Sequence, residues 1–362
     1  MMNSTPIDLI YEILSRLPAK SVARCRCVSK LWRRMLGRQD FTELFLTRSK
    51  ARPRLLIEVK QDGEWSFYTM PQPQYPYENS SLVVAADFHI KLSKGISLDN
   101  CSYVSGLIYC SILGDENEKR VICNPLTGQY VILPELTGDL CSYLGFDPVD
   151  KEFKILYMNV SGYTAYNNVD HYILTLGTGK GRWRKIQCPF THLPMWDRIC
   201  INGVLYYLAL HGGFYVIVCF DVRSEKFKFI YAEYSINLLI NYKGKLCGID
   251  LDDNDGGFPL KLSMWVLEDV EKQEWSKYVY SLCAESKVVK VARYLSVSGM
   301  TATGDIVLSA NSENEQFYYV FYFNPERNTL QSVEIQGVGA NRDLLCIDYI
   351  EDLSVTSMNL LA

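Results

Sequence analysis

Four times along the chain a small or polar residue followed by glycine opens a short apolar run. The instances are Ser105-Gly106-Leu-Ile-Tyr-Cys, Asn202-Gly203-Val-Leu-Tyr-Tyr, Lys243-Gly244-Lys-Leu-Cys-Gly and Thr303-Gly304-Asp-Ile-Val-Leu. Each is followed by a second hairpin signal with Asn or Asp at its turn: Asn124, Asp221, Asp269 and Asn324, at glycine-to-Asx spacings of 18, 18, 25 and 20 residues. The turn chemistry accounts for the residue types. An Asx side chain accepts hydrogen bonds from the backbone just ahead of it, and Pro125 and Pro325 pre-set the following φ. Gly128 supplies the left-handed position of a bulged hairpin. A fifth unit lacks the first signature but keeps two hairpins, Tyr143-Leu-Gly-Phe-Asp147-Pro and Tyr172 to Trp183. Two hairpins make four strands, and a four-stranded unit recurring every forty to fifty residues or so is the repeat of a β-propeller. Five blades are expected, over 98–133, 142–186, 197–230, 238–278 and 295–333. Two strand-like runs remain near one end, Arg54 to Val59 and Glu64 to Thr69, and one near the other, Asp343 to Tyr349. Joined, they predict a sixth blade built from both ends, which would leave no open sheet edge. The expected fold is mainly β, a six-bladed propeller over 54–362, preceded by a small all-α module over 1–48.

The module reads as short helices. Thr5 suits an N-cap, Pro6 the first helical position, and Asp8 the answering place of a capping box. Ile10, Ile13, Leu14 and Leu17 recur at i, i+3, i+4 and i+7, Leu9 broadens the stripe, and Pro18 ends the helix. A second helix is expected from Ala19 to Arg26 with Val22 and Cys25 inward. A third starts near Ser29 and carries Leu31, Trp32, Met35 and Leu36. Asp40 is placed to cap a fourth, with Phe41, Leu44 and Phe45 as its apolar face. So few residues cannot bury this much apolar surface among themselves, so the module implies a partner.

Charge divides at the same boundary. The net charge is -4, yet residues 1–54 hold twelve Lys/Arg against four Asp/Glu, +8, and the remainder carries -12. A basic helical segment admits a nucleic-acid reading. Here the basic residues interleave with the apolar stripe, which reads as a solvated face, and no nucleic-acid partner is expected. The twelve cysteines contain no Cys-x-x-Cys and mostly sit in apolar strand-like runs, as small buried hydrophobes of a reducing compartment. No signal peptide and no membrane-length apolar run is read, so a cytosolic and/or nuclear protein without a membrane partner is expected.

Catalytic material is sparse. The four histidines, His89, His171, His192 and His211, show no ligand spacing, so no metal and no cofactor are expected. His211-Gly212-Gly213 has the look of an oxyanion loop but no nucleophile elbow accompanies it, and a strand-end turn is expected. Gly177 to Gly181 lacks Walker spacing. Asp250 to Gly256 fails as a calcium loop, because its glycine falls late and Lys261 stands where an EF-hand has Glu.

The segment Leu9-Ile10-Tyr11-Glu12-Ile13-Leu14-Ser15-Arg16-Leu17-Pro18-Ala19-Lys20-Ser21, with Arg26-Cys27-Val28-Ser29-Lys30-Leu31-Trp32, resembles the plant form of the F-box. The later Gly-Phe-Asp-Pro and Arg-Trp-Arg-Lys-Ile segments resemble the kelch-like F-box-associated domain of plant F-box proteins. The resemblance implies a non-catalytic substrate receptor of a Skp–cullin–F-box ubiquitin ligase. It implies that the helices dock on a Skp-type adaptor, and through it a cullin, and that the propeller holds a protein substrate. The adaptor-binding residues so implied are Pro6, Leu9, Ile10, Ile13, Leu14, Leu17, Pro18, Val22, Val28 and Trp32. Substrate contacts are expected in the loops 71–79, 159–170, 192–197 and 250–259, with Tyr75 and Tyr77 as anchors. A propeller enzyme or small-ligand binder with an accessory helical arm is the alternative.

Overall fold

A computed structural model describes residues 6–61, 64–73, 82–85, 87–91, 96–113, 118–136, 140–160, 169–177, 181–232, 236–252, 260–282, 295–310, 318–338 and 342–353. Four helices come first: α1 (Ile7–Leu14), α2 (Ala19–Val28), α3 (Lys30–Leu36) and α4 (Gln39–Lys50). Pro6 occupies the N-cap of α1 rather than its first turn, and Thr5 lies outside the described residues. Ser29 caps α3 by accepting the Trp32 N–H. Asp40 lies inside the first turn of α4, where its carboxylate takes the Phe41 N–H at 2.8 Å.

Among the described residues, every regular element after the helices is a strand. The ends of the chain supply β1 (Arg54–Gln61), β2 (Glu64–Pro71), β3 (Leu82–Ala85), β4 (Asp87–Lys91) and, last, β25 (Arg342–Tyr349). The first blade is β5 (Ile96–Val104), β6 (Leu107–Leu113), β7 (Glu118–Cys123) and β8 (Tyr130–Ile132). The second is β9 (Leu140–Asp147), β10 (Glu152–Val160), β11 (Val169–Thr175) and β12 (Arg184–Ile186). The third is β13 (Leu193–Ile201), β14 (Val204–His211), β15 (Phe214–Asp221) and β16 (Lys226–Tyr231). The fourth is β17 (Leu238–Tyr242), β18 (Lys245–Asp252), β19 (Leu260–Asp269) and β20 (Glu274–Leu282). The fifth is β21 (Leu295–Met300), β22 (Ile306–Ala310), β23 (Tyr318–Asn324) and β24 (Thr329–Gln336). The sixth, in the order β25-β1-β2-β4, joins the two ends as the repeat arithmetic predicts. The strands β5, β9, β13, β17, β21 and β25 stand at one edge of each sheet and touch in sequence round to the start. That closed ring is the propeller axis, and β25 is its last inner strand. Two strands were not foreseen: β4, which completes the sixth blade as its fourth strand, and β3. β3 pairs in parallel with β24, from Leu82 opposite Val333 to Ala85 opposite Gln336, and widens the fifth sheet to five strands.

The repeated signatures are turns with distinct tasks. Gly106, Gly203, Gly244 and Gly304 have φ of 92°, 85°, 86° and 97°, a region in which a Cβ is strained. Ser105, Asn202 and Lys243 precede three of them, also at positive φ, as a type I′ hairpin demands. A Cβ on Gly203 would come within 3.1 Å of Pro148 Cδ, so this turn also lies against the neighbouring blade. The Asx residues cap the second hairpins: Asn124 Oδ1 accepts from Leu126 N at 2.7 Å, Asp221 from Ser224 N at 2.6 Å, Asp269 from Glu271 N at 2.8 Å and Asn324 from Arg327 N at 2.9 Å.

These turns define two faces. Leu126, in the β7–β8 turn, packs against the helical core formed by Tyr11, Leu14, Ala19, Val22, Leu36, Phe41 and Phe45. Strand direction alternates within a blade, so the turns after the first and third strands lie on this helix-facing side. Turns after the second strand open on the opposite, distal face. The chain after β25 returns to the helices. Leu353 joins their core, and the Glu351 carboxylate accepts the Ala19 N–H at 3.0 Å.

Candidate functional site

Two surfaces emerge, one on the helices and one on the distal face. On α1 the side chains divide by depth. Tyr11 and Leu14 turn inward, and the Tyr11 hydroxyl donates to Met35 O at 3.0 Å. Leu9 and Ile13, one turn apart on the same side of the helix, are 54% and 59% exposed. Val28 and Leu31, on either side of the Ser29 cap, are 70% and 65% exposed. Of the other residues implied for adaptor binding, Pro6 and Pro18 are exposed, while Ile10, Leu17 and Trp32 are half-buried. Leu14 and Val22 are interior, packed with Phe41 and Phe45. Their expected partner contact gives way to a role in the module's own core, because α4 covers the side of the stripe that carries Leu14. Ion pairs brace the module. Arg48 Nη2 donates to Glu12 Oε1 at 2.7 Å, and Arg16 reaches the same carboxylate, which these hydrogen bonds hold below the usual glutamate range. Arg52 donates to the carbonyls of Ser15 and Arg16, satisfying orphan acceptors at the end of α1.

On the propeller, Tyr75, Tyr77 and the core of the loops 159–170 and 250–259 lie outside the described residues. The segment 192–197 is not a loop. It opens the inner strand β13, whose register shifts between Pro194 and Arg198. Asp197 sits in that irregularity, half-buried and accepting from Leu239 N, and desolvation of its carboxyl pushes it up to about 7. His211-Gly212-Gly213 is the tight turn between β14 and β15, with Gly212 at φ 58° and Gly213 at φ 86°.

That turn opens on the distal face and carries exposed aromatics. Phe214 and Tyr215 follow it, and Tyr231 pairs with Val216 across β15–β16, with exposures of 70%, 53% and 55%. Phe190, also exposed, packs edge-on against His211 and Phe229. Aromatics with one free face are the side chains that anchor protein contacts. Sequence reading passed over them, although two aromatics directly after a Gly-Gly turn are a legible mark of a hairpin tip.

Beneath Phe190 the fold gathers three metal-capable side chains. His171 on β11, Cys188 after β12 and His192 at the entry to β13 bring one donor atom each within 4.8 Å of one another. His192 Nδ1 lies 3.1 Å from Phe190 O and 3.8 Å from Cys188 Sγ, and its Nε2 lies 2.7 Å from the Tyr207 hydroxyl. His171 Nε2 is buried without a hydrogen-bond partner. Burial depresses both imidazoles to about 4, with His192 adding to the effect on His171, and raises the Cys188 thiol to about 11. Sequence spacing carried no signal for this group. On the opposite, helix-facing side, ionic contacts also tie the second blade to the third. Arg223 holds Asp147 with two bonds of 2.8 Å and keeps its carboxyl well below the usual range, and Glu225 accepts from Lys154 at 2.9 Å and from Arg184.

The chain matches two family models: the F-box domain over residues 6–44 and the F-box associated beta propeller domain over residues 54–359. Among curated relatives from Arabidopsis thaliana, "F-box only protein 12" is 62% identical over 98% of this chain and 83% of its own length. "Putative F-box protein At1g30930" is 61% identical over 98% of this chain and 96% of that protein. "F-box protein At3g57590" is 47% identical, covering 98% of this chain and 92% of its own length.

Proposed function

The chain belongs to the plant F-box proteins that carry an F-box-associated propeller, and from that premise we propose that it is the substrate receptor of a Skp–cullin–F-box ubiquitin ligase. The helices bind the Skp-type adaptor and the propeller binds the protein to be modified. The observation that carries this reading is the exposure of Leu9, Ile13, Val28 and Leu31 on helices whose opposite side is already packed. Exposed aliphatic side chains on a folded module are what a hydrophobic docking surface requires. The surrounding basic residues steer encounter with an acidic adaptor. No bond-making step is assigned to this chain. The cysteines among the described residues are all free thiols, in keeping with work in the cytosol or nucleus.

For the substrate, the distal face is the free one, since the other is turned to the helices. Phe190, Phe214, Tyr215 and Tyr231 of the third blade supply its anchors. The charge of -12 beyond residue 54 favours a basic segment on the partner, through encounter rate more than affinity. Two variants separate the halves of the proposal. Leu9→Asp/Ile13→Asp/Val28→Asp should lose co-purification with a Skp-type adaptor while circular dichroism stays unchanged; retained adaptor would overturn the docking assignment. Phe214→Ser/Tyr215→Ser should keep the adaptor but lose proteins that accumulate on the intact chain under proteasome inhibition. An unchanged set of bound proteins would move substrate binding elsewhere.

A further inference from the structure

We propose that His171, Cys188 and His192 form a zinc site that clamps the second blade to the third beneath the distal face. The inference goes beyond the receptor reading and does not depend on it.

The donors are those zinc takes, two imidazoles and a thiol, and they come from two places in the chain, strand β11 and the link between β12 and β13. Cys188 Sγ and His192 Nδ1 are 3.8 Å apart, close to the roughly 3.5 Å that separates two ligands on one tetrahedral zinc with ordinary bond lengths. His171 supplies the third donor. Its Nε2 is the one imidazole nitrogen of the trio that is buried and without a partner, a deficit that costs stability unless something meets it. With the metal on Nδ1, the His192 proton moves to Nε2, which donates to the Tyr207 hydroxyl now 2.7 Å away. A fixed partner on the far ring nitrogen is the usual support of a zinc-bound histidine. Cys188 binds as thiolate: the S–Zn bond forms as its S–H proton leaves to solvent. The fourth position is left for water.

The position gives the site a consequence. Cys188 and His192 bracket Phe190, whose carbonyl contacts both in the metal-free chain and gives up these two contacts when Sγ and Nδ1 take the metal. A metal held there fixes the short link that presents Phe190 on the distal face, and ties β11 to β13.

The test uses the full chain, freed of metal and titrated with Co²⁺. One equivalent should produce the d–d bands of a tetrahedral ion and a thiolate-to-cobalt charge-transfer band, both displaced by Zn²⁺. Cys188→Ser should abolish the charge-transfer band, and His171→Gln should weaken zinc binding at least tenfold. Tyr207→Phe keeps every ligand and should weaken it by about 10–100-fold at most. A measurement on the unmutated chain guards against misfolded variants. Zn²⁺ should protect Cys188 from alkylation, read by mass spectrometry, while the exposed Cys27 reacts as before. Equal alkylation of Cys188 with and without zinc overturns the proposal. So does a cobalt spectrum that survives both Cys188→Ser and His171→Gln.

Discussion

The helical module and the propeller treat apolar surface in opposite ways. In the blades both faces of each sheet meet a neighbouring sheet, so residues such as Ile155, Ile217, Leu262 and Val320 are fully or almost fully buried. Closure into a ring leaves no blade without a neighbour. The helices have only one covered side. There α4, Leu126 and Leu353 complete a small core, and Leu9, Ile13, Val28 and Leu31 are left in water. The contrast teaches where apolar surface is left to water: on the module that cannot close on itself, and at hairpin tips such as Phe214 and Tyr215 of the one that does. It also shows what the two share. The last described residues serve both, since β25 is an inner strand of the ring and Glu351 and Leu353 reach the helices.

The largest expected effect breaks that shared element. Removing residues 342–362 takes away the inner strand of the sixth blade, exposes β1 as an open edge and opens the helical core. The truncated chain should be insoluble or show no cooperative melt. A cooperative melt within a few degrees of the full chain would mean that the ring does not depend on its closure.

A second prediction sharpens the division within α1. Leu14→Ala removes a buried side chain and should destabilise by about 2–5 kcal/mol, whereas Ile13→Ala should change stability by no more than about 0.5 kcal/mol. Denaturant melts decide it. Adaptor affinity should respond in the reverse order, with Ile13→Ala weakening binding at unchanged stability. Equal stability losses for the two would mean that α1 is rotated from the orientation described.

The third prediction sets the distal joint against the rest of the propeller through pH. In the unfolded chain an imidazole takes up its proton near pH 6.5, while His171 and His192 do so only near 4 when folded. A depressed histidine stabilises the fold fully above about pH 6.5, and that contribution is lost as pH falls toward 4. The loss is about 3 kcal/mol for each ring at the acid limit. Melting the metal-free chain from pH 7 to pH 4 should show this decline, and His171→Gln should flatten it. A profile as steep in the variant would place the titrating groups elsewhere.

Much of the ring was legible because its punctuation is chemical. A φ near 90° asks for glycine, and an Asx turn asks for Asn or Asp, so the turns that build the blades write themselves into the chain at Gly203, Gly244, Asp221 and Asp269. β3 carries no such mark: Leu82 to Ala85 is four apolar residues, and only its pairing with β24 makes it a strand. On α1, six of the eight positions from Ile7 to Leu14 are apolar, all but Asp8 and Glu12, so two stripes overlap, and periodicity alone cannot say which faces in. The packing of Tyr11 against Phe41, with ring centroids 5.1 Å apart, decides it. The cluster of His171, Cys188 and His192 was invisible for another reason. Cys188 and His192 share the link between β12 and β13, but His171 comes from β11, and the meeting of the three is a property of the joint between blades rather than of any local pattern.

The smallest expected effect lies at the junction between the two regions. Pro18 stands at the N-cap of α2 and offers no side-chain hydrogen bond, so the helix start lacks a cap of its own. Glu351 supplies one from across the chain, placing a carboxylate oxygen 3.0 Å from the Ala19 N–H at the positive end of the helix. The acid is 94% removed from water, being 6% exposed, so the bond forms where solvent competes little. Replacing a side-chain cap by alanine typically costs about 0.5–2 kcal/mol, and Glu351→Ala should fall in that range. Because the bond joins the two regions, its loss should loosen their coupling more than either core. Hydrogen exchange should rise at Ala19 to Val22 while the amides of β13 and β14 keep their protection. If exchange rises in the blades as well, the helices and propeller unfold as one unit. If it rises in neither, Leu353 and Leu126 alone hold the junction.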